Sequence, residues 1–296
     1  MIKTVAQLKA LCEERQWTVS EYILQTEAEE QRVPPEEIME QFLNLASIME
    51  ASSRATLESG SQLDHGIIDD FAKKTWDYAQ EDRIHVTDKE TLEAMARAFS
   101  TFETNSGMGK IVAAPTAGSS GIVPAALYTA REKLGASDED LARGLMVAAC
   151  VGQFIGGYAT FAGSEGGCQA ECGAASAMAA GALVELFGGS VDQVFQAASI
   201  AIVNILGLVC DPIGGLVQYP CTFRNASGVN NARISADLAL AGTTSIIPFE
   251  EVCQAMKEVG DAMDESLRET GVGGLAGTPT GHRICQNIFG NCHKKK

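Results

Sequence analysis

Apolar residues recur at helical spacing through much of this chain. After Val33-Pro34-Pro35, the positions Ile38, Met39, Phe42, Leu45, Ala46 and Met49 follow a 3.6-residue repeat. Proline suits the first helical position, where its missing N–H would have no partner anyway. Thr87-Asp88-Lys89-Glu90 has the form of a capping box ahead of Leu92, Met95, Ala96 and Phe99, which predicts a second amphipathic helix. Ser137 to Asp140 and Ser190 to Gln193 read as further helix starts, and Gly188-Gly189 as a stop. Alternation with period two, the mark of half-buried strands, is scarce. The pattern predicts a mainly α fold.

Glycine divides that pattern in two. Gly60 and Gly66 are the only glycines before residue 107, and the other 28 of the 30 follow. Residues 1–106 therefore read as amphipathic scaffold helices. Residues 107–296 read as a core in which Gly/Pro/Ser loops alternate with Ala-rich helices, continuous with the first region as one domain. A helical bundle does not need so many glycines. Loops wrapped around a ligand or cofactor do, because glycine permits close backbone approach. The uncharged stretch 144–164 is long enough to raise the question of a membrane span, but its glycines and Gln153 make it weakly hydrophobic. A buried core helix is the expectation there.

Net charge changes the picture by exclusion. At −16 over 296 residues, the chain is not built for nucleic acid or an anionic membrane, which favour basic surfaces. Lys294-Lys295-Lys296 is a short terminal run rather than a patch. No secretory signal is visible near Met1, so a cytoplasmic, reducing location is expected. There the nine cysteines stay free unless chemistry uses them, and their odd number and irregular spacing argue against a disulfide framework. Cys12, Cys150 and Cys253 sit in helical patterns and read as small core residues.

Three other cysteines fall in or beside the Gly-rich loops. Cys168 precedes an Ala-rich helix reaching Phe187, where the helix dipole and free backbone N–H groups favour a thiolate. Cys210 and Cys221 bracket a loop rich in Pro and Gly that can bring its ends to one centre. The spacing matches no recognised zinc or ferredoxin pattern. From the residues alone, a metal site and incidental buried thiols both stay open. Three thiolates without a fourth protein ligand would suit a cubane with one open iron, an arrangement for Lewis-acid chemistry rather than electron transfer.

Several segments together carry a resemblance. They include Ala114-Pro115-Thr116-Ala117-Gly118-Ser119-Ser120-Gly121, Gly166-Gly167-Cys168-Gln169-Ala170-Glu171 and Leu208-Val209-Cys210-Asp211-Pro212. Pro220-Cys221, Arg224-Asn225-Ala226, Ala236-Asp237-Leu238-Ala239-Leu240-Ala241-Gly242 and the run from Glu269 to Gly281 complete them. In order and wording they resemble the α chain of the iron–sulfur-dependent bacterial L-serine dehydratases, over essentially the whole chain. The resemblance implies a helical catalytic domain whose Gly/Pro-rich loops enclose a [4Fe–4S] cluster, held by Cys168, Cys210 and Cys221. It implies dehydration of L-serine to pyruvate and ammonia, with the β-hydroxyl at an open iron and no pyridoxal phosphate. Thr116, Ser119, Ser120 and Arg224 are the candidates for binding the substrate carboxylate. Lys110, Ser119 and His65 are the candidates for the α-proton base, and nothing in the spacing separates them.

Departures from the family pattern qualify what is carried over. Cys172 stands where a small apolar residue is expected, one turn beyond Cys168, and reads as packing or as an accessory thiol. In some relatives a C-terminal cysteine folds back onto the open iron, but here neither Cys285 nor Cys292 is the last residue. A Ser-Ser-His-Thr-x-Gly-Pro segment found in a further domain of single-chain members is absent, which implies a separate β subunit and a hetero-oligomer. Two other readings stay open: a cluster lyase acting on L-cysteine, and a non-catalytic subunit in which metal-bound cysteines staple the fold. L-Threonine is a further candidate substrate.

Overall fold

The computed structural model describes residues 2–61, 63 and 67–290. Among these the chain is mainly α-helical, and Cys210 and Arg268 form an isolated parallel bridge. Five helices precede the Gly-rich region: α1 (Val5–Arg15), α2 (Val19–Gln31), α3 (Pro35–Arg54), α4 (Phe71–Gln80) and α5 (Lys89–Ser106). Then come α6 (Ile122–Leu134), α7 (Asp138–Tyr158), the single turn α8 (Gly163–Gly166) and α9 (Ala174–Leu186). The last four are α10 (Val191–Val203), α11 (Cys221–Leu240), α12 (Phe249–Ala262) and α13 (Pro279–Phe289).

The helix starts follow the local chemistry. Pro34 and Pro35 open α3, which buries Ile38, Ala46 and Met49. Ser137 and Ser190 cap α7 and α10 through complete capping boxes with Asp140 and Gln193. At α5 the cap falls one residue later than its sequence suggests. Asp88, not Thr87, accepts the Thr91 N–H at 2.7 Å, because a carboxylate satisfies the free N–H groups and the positive helix end together. Gly188 stands at positive φ just past α9.

At the centre lies α9, apolar on every side and buried from Ala174 to Val184. Its alanines let α7, α10, α11 and α6 close around it. The α9–α11 approach brings Ser176 Oγ within 3.1 Å of the Gly228 carbonyl, to which it donates. One apolar cluster runs from Leu8 and Ile23 through α7 and α9 to Met256, so the early helices share a core with the later ones. By length and composition α7 could cross a membrane, yet 67% of its most apolar window is buried inside the protein, as in a core helix. It ends at Tyr158 rather than continuing to Ser164, and an extended segment leads into α8.

Candidate functional site

The three loop cysteines reach one region from separate segments. Cys168 opens a π turn, Gln169–Gly173, that feeds directly into α9. Gln169 fastens this turn, its side chain donating to the Met256 carbonyl and accepting from the Gly207 N–H. Cys210 lies in extended backbone clamped on both sides: its N–H donates to Leu267 O at 2.8 Å and its carbonyl accepts from Glu269 N at 2.6 Å. Cys221 is the first residue of α11. The loop between the last two is drawn together by the Ile213 N–H donating to Tyr219 O at 3.0 Å. All three cysteines are buried and free of disulfides.

The C-terminal Gly-rich stretch closes over this strand-like segment. Leu275 N donates to Asp211 Oδ2 at 2.7 Å. Gly274, at φ +57, brings its backbone against the Asp211 side chain where a Cβ would collide with the carboxylate. Both the positive φ and the close approach require glycine there. Asp211 is also paired with Arg224, whose NH2 donates to Oδ1 at 2.6 Å while NH1 donates to Val209 O at 2.7 Å. The Arg224 guanidinium also lies close enough to Cys168 to favour its thiolate. Each terminal nitrogen of Arg224, a candidate for the substrate carboxylate, thus gives a hydrogen bond to a protein group.

Electrostatics separate the thiols. The hydrogen bond with Cys172, followed by the Arg224 guanidinium, holds the Cys168 thiol below its ordinary value despite burial. Burial pushes Cys210 and Cys221 well up, and charge on Cys168 and on Glu171 adds to it. Each therefore feels the charge of its neighbours. Cys172 is fully buried with its sulfur 3.3 Å from that of Cys168, and its own thiol is raised by the same pairing and by burial. Among the described residues, no three His, Cys, Asp or Glu side chains converge closely enough to hold a single metal ion.

Facing the cysteines is the turn from Thr116 to Ser120. Thr116 Oγ1 donates to Glu171 Oε1 at 2.8 Å and stands 3.3 Å from Ser119 Oγ. Ser119 is buried, with its hydroxyl donating toward Ala114 O, and the Ser120 hydroxyl turns back to Ala117 O at 2.8 Å. Of the three hydroxyls, the one on Thr116 faces Glu171. Asn225 ties this turn to α11: its side-chain amide donates to Gly118 O and Cys221 O and accepts from Gly121 N. Lys110 is exposed and makes no hydrogen bond or ion pair among the described residues. His65 lies outside the described residues, although Ile68 beyond it packs with Phe102 and Cys221. Cys292 also lies outside them, and Cys285 is buried on α13 and disulfide-bonded.

Glu171, Asp211 and Asn225 had no role in the sequence reading. Glu171 was legible in one respect: it is the only charged residue between Gly166 and Val184. It sits buried between Thr116 and Cys210, with Oε2 at 4.0 Å from Cys210 Sγ. Burial pushes its carboxyl above the usual range, partly offset by the Thr116 hydrogen bond. Room for it depends on two missing side chains. A Cβ on Gly118 would stand 2.9 Å from Oε1, and one on Gly163 would stand 2.7 Å from Oε2 and 3.1 Å from Cys210 Sγ.

Comparison with known proteins places this constellation in context. The family model for the serine dehydratase alpha chain matches residues 14–276. The L-serine dehydratase alpha chain of Peptoniphilus asaccharolyticus is 54% identical over 289 residues, covering 98% of this chain and 99% of that one. A probable L-serine dehydratase alpha chain of Bacillus subtilis is 42% identical over 98% of this chain and 96% of its own length. The L-serine dehydratase TdcG of Escherichia coli is 40% identical over 60% of this chain, but the match spans only 40% of that protein.

Proposed function

The chain belongs to the serine dehydratase alpha-chain family, and from that premise we propose that it is the cluster-bearing subunit of an L-serine ammonia-lyase, releasing pyruvate and ammonia. The observation that carries the reading is the meeting of three free, buried thiols from separate segments beside Thr116 and Glu171. Overall, L-serine loses its α-proton and β-hydroxyl to give water and an enamine, which tautomerises and hydrolyses.

The donor set fits a [4Fe–4S] cluster. Cys168, Cys210 and Cys221 are free, buried thiols from separate segments that feel one another's charge. Thiolates are the ligands that iron–sulfur clusters take. Cys168, Cys210 and Cys221 would hold the cluster, which would supply a Lewis acid for the substrate hydroxyl. The chain's own residues supply the rest of the environment. Arg224, fixed by Asp211 and Val209 O, favours charge on Cys168. Its assigned work is therefore to support a ligand rather than to bind the substrate carboxylate. Cys172, fully buried, is hydrogen-bonded with Cys168 and takes a supporting role. The Thr116 hydroxyl orients the Glu171 carboxylate at the edge of the site. Burial of the thiols excludes bulk water from their surroundings.

A separate β chain is the proposed partner, in a reducing cytoplasm. The relatives' designation as alpha chains supports this, as does the partial coverage of the longer Escherichia coli protein. The test is anaerobic purification with and without that second chain, with iron, sulfide and pyruvate release measured. Iron and sulfide in equal amounts, and turnover of L-serine only with both chains, is the expected result. Zinc in place of iron, or a cluster without lyase activity, contradicts the reading. Sulfide release from L-cysteine in preference to turnover of L-serine redirects it to a desulfidase, and a parallel assay with L-threonine measures tolerance for one methyl group.

A further inference from the structure

Glu171 has fewer partners than a buried carboxylate needs. Its two oxygens offer about four acceptor positions. Among the described residues they receive one hydrogen bond, from Thr116 Oγ1 at 2.8 Å, and a long sulfur contact from Cys210 at 4.0 Å. The charge of Arg224 reaches Glu171, but the hydrogen bonds from its terminal nitrogens go to Val209 O and Asp211, and none is made to Glu171 among the described residues. Bare backbone at Gly118 and Gly163 approaches the carboxylate from two sides, so no side-chain donor projects from either position. Glu269, whose N–H holds the Cys210 carbonyl, adds a second negative charge that reaches Glu171. Leaving a buried carboxylate so poorly paired is costly, and a ligand that brings positive charge with several N–H donors removes the cost.

We propose that Glu171 recognises the α-ammonium group of the substrate, oriented for that contact by Thr116 and placed beside the cysteines by the π turn. The inference rests on the dehydratase reading and deepens it. An ammonium group carries three donors and one positive charge, which matches the unfilled acceptor positions. The substrate class is thereby restricted to α-amino acids. A hydroxy acid without the amine leaves Glu171 unpaired, so the site discriminates by chemistry rather than by size.

The experiment uses the anaerobic holoenzyme, this chain with its β partner, carrying Glu171→Gln or Glu171→Asp. Three probes are compared: L-serine, L-alanine (ammonium but no hydroxyl) and 3-hydroxypropanoate (hydroxyl but no ammonium). Iron and sulfide per chain are measured alongside. Glu171→Gln is expected to raise the KM for L-serine and the inhibition constant of L-alanine by roughly 10- to 100-fold. The inhibition constant of 3-hydroxypropanoate and the cluster content stay at wild-type levels, and Glu171→Asp restores part of the loss. An unchanged L-alanine constant, or equal weakening of L-alanine and 3-hydroxypropanoate, overturns the assignment. If Glu171→Gln loses its iron, Glu171→Asp decides: weakened L-alanine binding with the cluster intact supports the assignment, and unchanged binding overturns it. Loss of the cluster from both variants also overturns it and makes Glu171 a support of the cysteines. Failure of the wild-type holoenzyme to turn over L-serine overturns the dehydratase reading itself, whereas turnover with an unchanged KM in Glu171→Gln overturns the ammonium assignment alone.

Discussion

The helices α1–α5 and the loops around Cys168, Cys210 and Cys221 are held together by different physics. In the first region, apolar side chains such as Ile38 and Met49 are buried at regular helical intervals. There the buried carboxylate of Glu103 closes a helix start by accepting from Ala72 N and Thr56 Oγ1. In the second, contacts between residues far apart in sequence do the work. Leu275 holds Asp211, Asn225 spans Gly118 and Cys221, and Leu267 and Glu269 clamp Cys210. Regular burial tolerates local change, because each residue contributes a share of the core. A web of single polar contacts does not, because each one positions the next.

The buried cysteines do not divide so simply. Burial pushes Cys12 up to about 11 and Cys253 to about 12, as expected of thiols used as small apolar residues. Burial also pushes up Cys210 and Cys221, and only Cys168 is held low, because Cys172 and Arg224 favour its thiolate. What sets the loop cysteines apart from the core thiols is that Cys210 and Cys221 lie within reach of the charge of Cys168 and Glu171.

Breaking the polar web should have the largest effect. Asp211→Ala strands the buried Arg224 and removes the acceptor of Leu275 N, so a loss of about 3–5 kcal/mol is expected. Denaturant unfolding measures it, and iron retention should fall in parallel. In the scaffold, Ile38→Ala should cost about 3 kcal/mol through its cavity. Unlike Asp211→Ala, it should leave iron content and the KM for L-serine unchanged at temperatures where the variant is folded. Removing the α10 cap with Ser190→Ala should cost about 1 kcal/mol in the same unfolding assay, again with no change at the site.

The smallest expected effect is a pH dependence. Burial raises the Glu103 carboxyl above its unfolded value, so the folded chain keeps that proton to higher pH. The resulting stabilisation is complete below the unfolded carboxylate pKa, about 4.3, and is lost as pH rises through the folded one. Glu103→Gln should therefore show a smaller fall in stability than wild type over that window. Parallel stability–pH curves for the two would contradict the attribution.

How far the sequence revealed the molecule follows the same line. Pro35, Ser137 and Ser190 announced their helices because capping is a local matter. Thr87 misled by one residue, because Asp88 offers the stronger acceptor to the same N–H groups. At the site, Cys168, Cys210 and Cys221 stood out through their Gly/Pro surroundings, and the structure brings them into one electrostatic neighbourhood. The roles of Arg224 and Glu171 were not legible. Arg224 is engaged by Asp211, thirteen residues earlier, and Glu171 by Thr116, fifty-five residues earlier. No local pattern records such partners. The hydroxyl of Ser120 donates within its own turn, to Ala117 O, a contact its spacing did not reveal.

The central claim is that Cys168, Cys210 and Cys221 form one cluster site and that the core thiols do not. The most direct measurement is iron and sulfide per chain in anaerobically purified holoenzyme, with Cys168→Ala, Cys210→Ala and Cys221→Ala compared against Cys253→Ala. The account predicts that each of the first three loses iron, sulfide and pyruvate release from L-serine, while Cys253→Ala keeps all three at wild-type levels. Full iron and sulfide in any of the first three, with Cys253→Ala alone depleted, would contradict it.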